Sequence, residues 1–245
     1  MTCAFPLAAQ RLTFEVATIK RNNSADDNRS VRGNGGRLTI TNNQLRNIIR
    51  NGWGLQDFQI IGGPDWMNTE RWDIVAKAEG NPGPQMMVML QNLLADRFKL
   101  VAHKETRELP IYALVFARPD HAFGPKLHAS PTDCRKEMSA AVARGGPPGP
   151  NSPLLCGIRS FPGHFQLNAA AIANFVRNLT AFAGRSIVDK TGLTGVYDAD
   201  LTWNESEEGP SLFTAIQEQL GLKLEAQRGP VDVLVIDSAA RPTED

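Results

Sequence analysis

The run His103-Lys104-Glu105 lies in a stretch of alternating apolar and polar residues. In an extended strand alternate side chains share a face, so the His103 imidazole and the Glu105 carboxylate are expected side by side. Such a pair can move a proton. With a further carboxylate such as Asp96 it would suit a hydrolase of unrecognised type, and with His121 or His128 it would make a zinc site. Zinc deaminases join His-x-Glu to a Pro-Cys-x-x-Cys run, which this chain lacks. The plainer reading is an exposed strand on which His103 meets Glu105, Arg107 or Glu108 in surface ion pairs.

Other runs carry less. Asp189-Lys190-Thr191-Gly192 is similar to the phosphorylated aspartate of P-type ATPases, but no nucleotide domain surrounds it and it reads as a structural turn. Asp198, Asp200, Asn204, Glu205, Ser206, Glu207 and Glu208 make an oxygen-rich run. A calcium hand needs glycine at its sixth position, where Trp203 stands, so an exposed acidic turn is expected instead. There is no Gly-x-Ser-x-Gly elbow, phosphate loop or dinucleotide fingerprint, and the sequence calls for no cofactor and no metal. Trp66 follows a Gly-Gly-Pro-Asp turn, where an aromatic ring can be held out to anchor a peptide or sugar, with Asp65 and Arg107 as polar companions. Packing of Trp66 over a sheet is the competing use.

Two apolar stretches position these residues, and they look alike. Met86 to Ala117 and Leu212 to Ala239 share a helical run (Leu90 and Leu94 against Ile216 and Leu220), an exit strand (Phe98 and Leu100 against Leu222 and Leu224), a turn marked by Pro110 or Pro230, and a second strand. Upstream, Leu38, Ile40, Leu45, Ile48 and Ile49 match Phe165, Leu167, Ile172, Phe175 and Val176. The expected architecture is therefore α+β: two tandem repeats, each a small mixed sheet with two helices, at 11–117 and 163–245, joined by a Pro/Gly-rich linker at 118–162. Within the first repeat, Asn42 or Asn43 is the expected cap of a helix, 22–36 a polar loop, and Phe14, Val16 and Thr18 the inward side of the first strand. Lys99 to Glu105 and Leu109 to Ala117 are expected to form a hairpin.

Composition limits the functions. The 26 basic and 26 acidic residues cancel, which gives no chain-wide footprint for nucleic acid or an anionic membrane. No apolar run approaches the roughly 20 residues that span a bilayer. Residues 1–10 end in Leu7-Ala8-Ala9-Gln10 and read as the remnant of an export signal or a disordered start. Cys134 and Cys156 flank the Pro/Gly-rich run 143–153, and a bridge there would close a loop of about 20 residues worth about 3 kcal/mol. Bridges persist in oxidising compartments, so export is expected on this ground as well.

FEVATIK, IIGGPDW, LLADRFKLVAHKETRELPIYALVFA, VDKTGLTGVYD and the closing QEQLGLKLE and VDVLVIDSA together resemble the soil-associated ("Soli") family of unknown function expanded in acidobacteria. That resemblance implies an exported protein, or the extracytoplasmic end of a longer one fused to a BlaR-type sensor peptidase. His-Glu-x-x-His is absent, so no peptidase part is present. More loosely, the strand-helix-strand order resembles the short domains of secretins and TonB-dependent receptors. The expectation is an extracytoplasmic binding or interaction module with a protein or peptide partner; the alternatives are the hydrolase and a sensory domain of a BlaR-type system. The sequence names neither ligand nor oligomeric state.

Overall fold

A computed structural model of the chain describes residues 11–144, 146, 154–204 and 209–243. The expected export remnant, most of the run 143–153 and the acidic residues Glu205 to Glu208 lie outside the described residues. The fold is mixed α/β, with five helices and three small sheets among the described residues. The chain divides into two compact units: the first runs to Arg107 and resumes at Asp232, and the second is Glu108–Val231.

The first unit holds β1 (Val16–Asn22), β2 (Ser30–Asn34), β3 (Arg37–Gln44), α1 (Leu45–Trp53), β4 (Ile60–Gly62), β5 (Arg71–Lys77) and α2 (Gln85–Arg97). Its sheet is antiparallel with the order β1-β5-β3-β2. Alternation sends Ile19, Leu38, Ile40, Trp72, Ile74 and Ala76 to one side, each 1% exposed or less. Leu45, Ile48 and Ile49 of α1 and Leu90 and Leu94 of α2 complete that core. Each such aliphatic side chain contributes about 1.5–3 kcal/mol on burial. Phe98 meets Trp72 edge-on at 5.3 Å and closes the cluster.

The second unit holds β7 (Leu127–Ala129), α3 (Cys134–Ala143), β8 (Gly157–Phe161), β9 (His164–Ala170), α4 (Ile172–Ala183), β10 (Ile187–Asp189), β11 (Tyr197–Thr202) and α5 (Leu212–Ala215), which continues as a π-helical turn, Ile216–Leu220. Its sheet has the order β7-β11-β9-β8. Phe165, Leu201 and Leu179 are fully buried in its core. A disulfide joins Cys134 at the start of α3 to Cys156 just before β8, with Cα atoms 5.8 Å apart.

Both units also draw on two long strands, β6 (Val101–Phe116) and β12 (Leu222–Ser238), and the unit boundaries fall inside them. These strands belong to a third sheet, ordered β10-β6-β12-β4. In the first unit β4 lies parallel to Leu234–Ile236 of β12; in the second, β10 lies parallel to Tyr112–Leu114 of β6.

Several expectations are corrected. Pro110 and Pro230 mark no turn, and the expected hairpin is one strand, β6. The reason is the side on which the missing donor falls. The Tyr112 amide bonds Ser186 on the β10 side, and the Pro110 nitrogen, two residues earlier, points the same way before the β10 ladder begins, so no ladder bond is lost there. Asn42 and Asn43 do not cap α1; Gln44 does, without a side-chain bond. Asn42 takes a left-handed conformation (φ 54°) and donates its amide N–H to Asp73 at 2.7 Å, shifting the β3 register. The polar loop 22–36 contains β2, and β1 turns Ile19 inward while Val16 and Thr18 face out. The stretch 118–162 carries β7, α3 and β8: Asp133 caps α3 by accepting from the Arg135 and Lys136 amides, and Gly157–Phe161 pairs with β9.

Candidate functional site

The residues singled out from the sequence do not converge on one site. On β6 and β12, His103 Nδ1 lies 2.9 Å from Asp237 Oδ2, His103 Nε2 lies 4.0 Å from a Glu105 oxygen, and Arg107 donates to Glu105 at 2.9 Å. The Arg107 bond holds the Glu105 carboxyl below the usual carboxylate range and raises the Arg107 guanidinium. The His103 side chain is 54% exposed and Asp237 41%, so this is a row of polar contacts, with Arg107–Glu105 as its ion pair, on an open strand in high-dielectric surroundings. Asp96 is elsewhere, paired with Arg11 at 2.7 Å. Among the described residues no group of three or more His, Cys, Asp or Glu is placed to hold a metal ion. Asp189 accepts from the Thr191 amide and hydroxyl, a turn-closing role.

Trp66 sits in the 3-10 turn Asp65–Asn68. Its ring stacks on Phe98 at 6.5 Å, and the Arg241 guanidinium lies 5.2 Å from the ring centroid, a cation–π contact. Arg241 also clasps Glu70 at 2.7–3.0 Å. That hydrogen bonding, assisted by the Arg21 charge, holds the Glu70 carboxyl below its ordinary value. The ring is therefore engaged within its own unit, while Asp65 is exposed.

A better-formed concavity of about 290 Å³ lies in the first unit, lined by Trp53, Leu55, Gln59, Lys104, Asp232, Val233 and Leu234. Trp53 ends α1, and Gly54 in a left-handed cap (φ 64°) turns the chain so that Leu55 follows onto the same wall. Gln56 and Gln59 bond reciprocally around the next turn, and Gln59 donates to the Asp232 carbonyl at 2.9 Å. Arg46 clamps this segment through Asp57 and the Ile60 carbonyl at 2.6 and 2.7 Å. Asp232 accepts from Thr106 at 2.7 Å, and its second oxygen has no hydrogen-bond partner among the described residues. The exposed Lys104 ammonium has no ion-pair partner among the described residues. An apolar wall with one cation and one anion at its edge is suited to a small ligand carrying both charges. From the sequence, Trp53 was visible only as one tryptophan among others; the Gly52-Trp53-Gly54 helix end was its signal. Lys104 is the residue between His103 and Glu105, on the other face of the strand.

The model of the family described as protein of unknown function, DUF3738, matches residues 46–239. The chain belongs to the DUF3738 family. No curated protein and no solved structure matches it. The DUF3738 match begins within α1 and ends just after β12, so it includes every residue lining the Trp53 cavity but leaves β1, β2 and β3 outside. The likeness to a family without assigned function is thus a fact at that level, and the family brings no site residues with it.

Proposed function

We propose that this DUF3738 protein is an extracytoplasmic binding module that takes a small apolar zwitterion, such as a short apolar peptide, in the Trp53 cavity. One observation carries the reading: an apolar wall of Trp53, Leu55, Val233 and Leu234 beside Lys104 and an Asp232 carboxylate oxygen, neither with a partner among the described residues. A ligand carboxylate would meet Lys104 and a ligand ammonium Asp232, while its side chain removes the indole face from water. The Cys134–Cys156 bridge supports placement in an oxidising compartment, periplasmic or secreted. No helix among the described residues is long and apolar enough to cross a membrane.

Calorimetric titration with the dipeptide Phe-Leu tests this. Binding that weakens about tenfold in Lys104→Gln and is lost with the N-acetylated, amidated dipeptide is the expected result. Equal binding of the charged and capped dipeptides would remove the reading.

A hydrolytic reading rests on a different observation, the 2.9 Å contact that orients His103 against Asp237. It requires His103→Asn to abolish hydrolysis of an activated ester while dipeptide binding persists. The sensory reading, with the module feeding a BlaR-type peptidase, is tested by whether reading frames for close relatives in soil acidobacteria continue into such a domain.

The same proposal treats the units as copies of one ancestral module. Three observations support it: the matching strand orders β1-β5-β3-β2 and β7-β11-β9-β8, the left-handed Asn42 and Ala169, and their amide bonds to Asp73 and Asp198, both 2.7 Å.

A further inference from the structure

The outer face of the first unit's sheet carries charge that the balanced composition conceals. Strand register places Val16, Lys77, Arg37 and Asn34 in one row across β1, β5, β3 and β2, with Thr18, Val75, Thr39 and Arg32 in the next. Lys20 stands opposite Asp73 in the row beyond. Because alternate residues share a face and the other side is the helix-covered core, Lys20, Arg32, Arg37 and Lys77 all emerge on this open side. All four are exposed, and none has an ion-pair partner among the described residues. The carboxylate among them, Asp73, is occupied by the Asn22 side chain at 3.0 Å and the Asn42 amide at 2.7 Å. Nearby Arg71, by contrast, is paired with Asp27 at 3.1 Å.

We infer that this face docks an anionic polysaccharide, through carboxylate or sulfate groups repeated along an extended chain. Three properties choose the partner. Lys77 and Arg37 are direct cross-strand neighbours, Arg32 lies one strand and one row from Arg37, and Lys20 one strand and two rows from Lys77; with strands about 4.8 Å apart and rows about 6.7 Å apart they form an array wider than any single small anion. The positions between them are hydroxyls and amides, Thr18, Thr39 and Asn34; these suit sugar hydroxyls, whereas insertion into a lipid surface needs large apolar side chains, and the rows offer only Val16 and the partly buried Val75. The bridge between Cys134 and Cys156 points to the oxidising side of a membrane, where polyanionic glycans are met. Exposed charges act additively and are screened by salt, so the interaction is multivalent and salt-sensitive. Lys20, Arg32 and Arg37 precede the span matched by the family model, so the face is not implied by membership.

The test is binding of the full chain to oligogalacturonate at low salt, by biolayer interferometry, with neutral dextran as control. The charge-reversed Arg37→Glu/Lys77→Glu variant is expected to bind at least tenfold more weakly, with an unchanged near-ultraviolet circular dichroism spectrum, and 0.5 M salt, about a 4 Å screening length, is expected to abolish wild-type binding. Should reversal disturb folding, the neutral Arg37→Gln/Lys77→Gln variant carries the same expectation. Unchanged affinity in both variants, equal binding to dextran, or tighter charge-dependent binding to duplex DNA or phosphatidylglycerol vesicles would overturn the inference. Lys104→Gln, which addresses the peptide cavity, is expected to leave oligogalacturonate binding intact, so the two proposals fail separately.

Discussion

The two units arrange their sheets in the same order but finish the outer faces differently. In the first, the open rows carry Lys20, Arg32, Arg37 and Lys77, which have no ion-pair partner among the described residues. At corresponding strand positions the second has His164 beside Thr202, with Asp200 3.4 Å from His164, and His128 opposite Asp198. One face presents lysines and arginines that have no ion-pair partner among the described residues, and the other sets histidines beside carboxylates. The left-handed corner after the second helix differs too: the first unit puts Lys99 there (φ 49°) and the second Gly221 (φ 71°). A Cβ on Gly221 would come within 2.5 Å of the Gly124 nitrogen and 2.6 Å of the Ala122 carbonyl. The same backbone turn is thus open to a side chain in one unit and closed in the other. What the units share is set by the path of the main chain, and what separates them is the set of neighbours each turn and face has acquired.

The largest expected effect probes whether the cores are equivalent. Trp72→Ala and Phe165→Ala each remove a buried aromatic ring and are expected to cost about 3–5 kcal/mol in denaturant unfolding. Because β6 and β12 contribute to both units, each variant is expected to move a single cooperative transition; two separable transitions would break the comparison at its root. The bridge belongs to the second unit alone, and Cys134→Ser/Cys156→Ser is expected to cost about 3 kcal/mol through the entropy of the opened loop. The corners come next. Gly221→Ala is expected to lose about 2 kcal/mol or more, since the conformation is strained for an L residue and the Cβ meets backbone. Lys99→Gly is expected to gain about 0.5 kcal/mol, relief of left-handed strain offset by chain entropy. The smallest effect is electrostatic. Glu70 has a lowered pKa in the folded chain, so its pairing with Arg241 stabilises above the ordinary carboxylate range, and that stabilisation is lost as pH falls through the lowered folded value. Arg241→Ala is therefore expected to flatten the acid limb of a stability–pH profile while leaving the alkaline limb unchanged.

Periodicity in the sequence was enough to find the core: Trp72, Ile74 and Ala76 alternate into it, and Leu45, Ile48 and Ile49 line one helix face. The two cysteines indicated their own bond. Parity misled at β1, where a run with Phe14, Val16 and Thr18 on one side and Ala17 and Ile19 on the other admits either face until the neighbouring strand is known. Proline misled in β6, because a residue without a donor is tolerated wherever no acceptor waits. Lys99 and Gly221 each take a left-handed conformation just after a helix, and a left-handed residue has no sequence mark when it is lysine. The His103 and Trp66 proposals failed to reveal a shared site for a simple reason: residue type announces reactivity, whereas the Trp53 cavity and the cationic rows come from strand pairing over long separations. A net charge of zero says nothing about where charges gather.

The passage of β6 and β12 through both units has a practical meaning for anyone dissecting the chain. A fragment cut after Ala117 would carry β4 with its edge bare, lacking Leu234 and Ile236, and the complementary fragment would lack Tyr112 to Leu114 beside β10. Neither piece is a sound expression target, because each would expose an unpaired strand ready to recruit another molecule. Mixed in solution, the two pieces are expected to find each other, as the halves of a split reporter do.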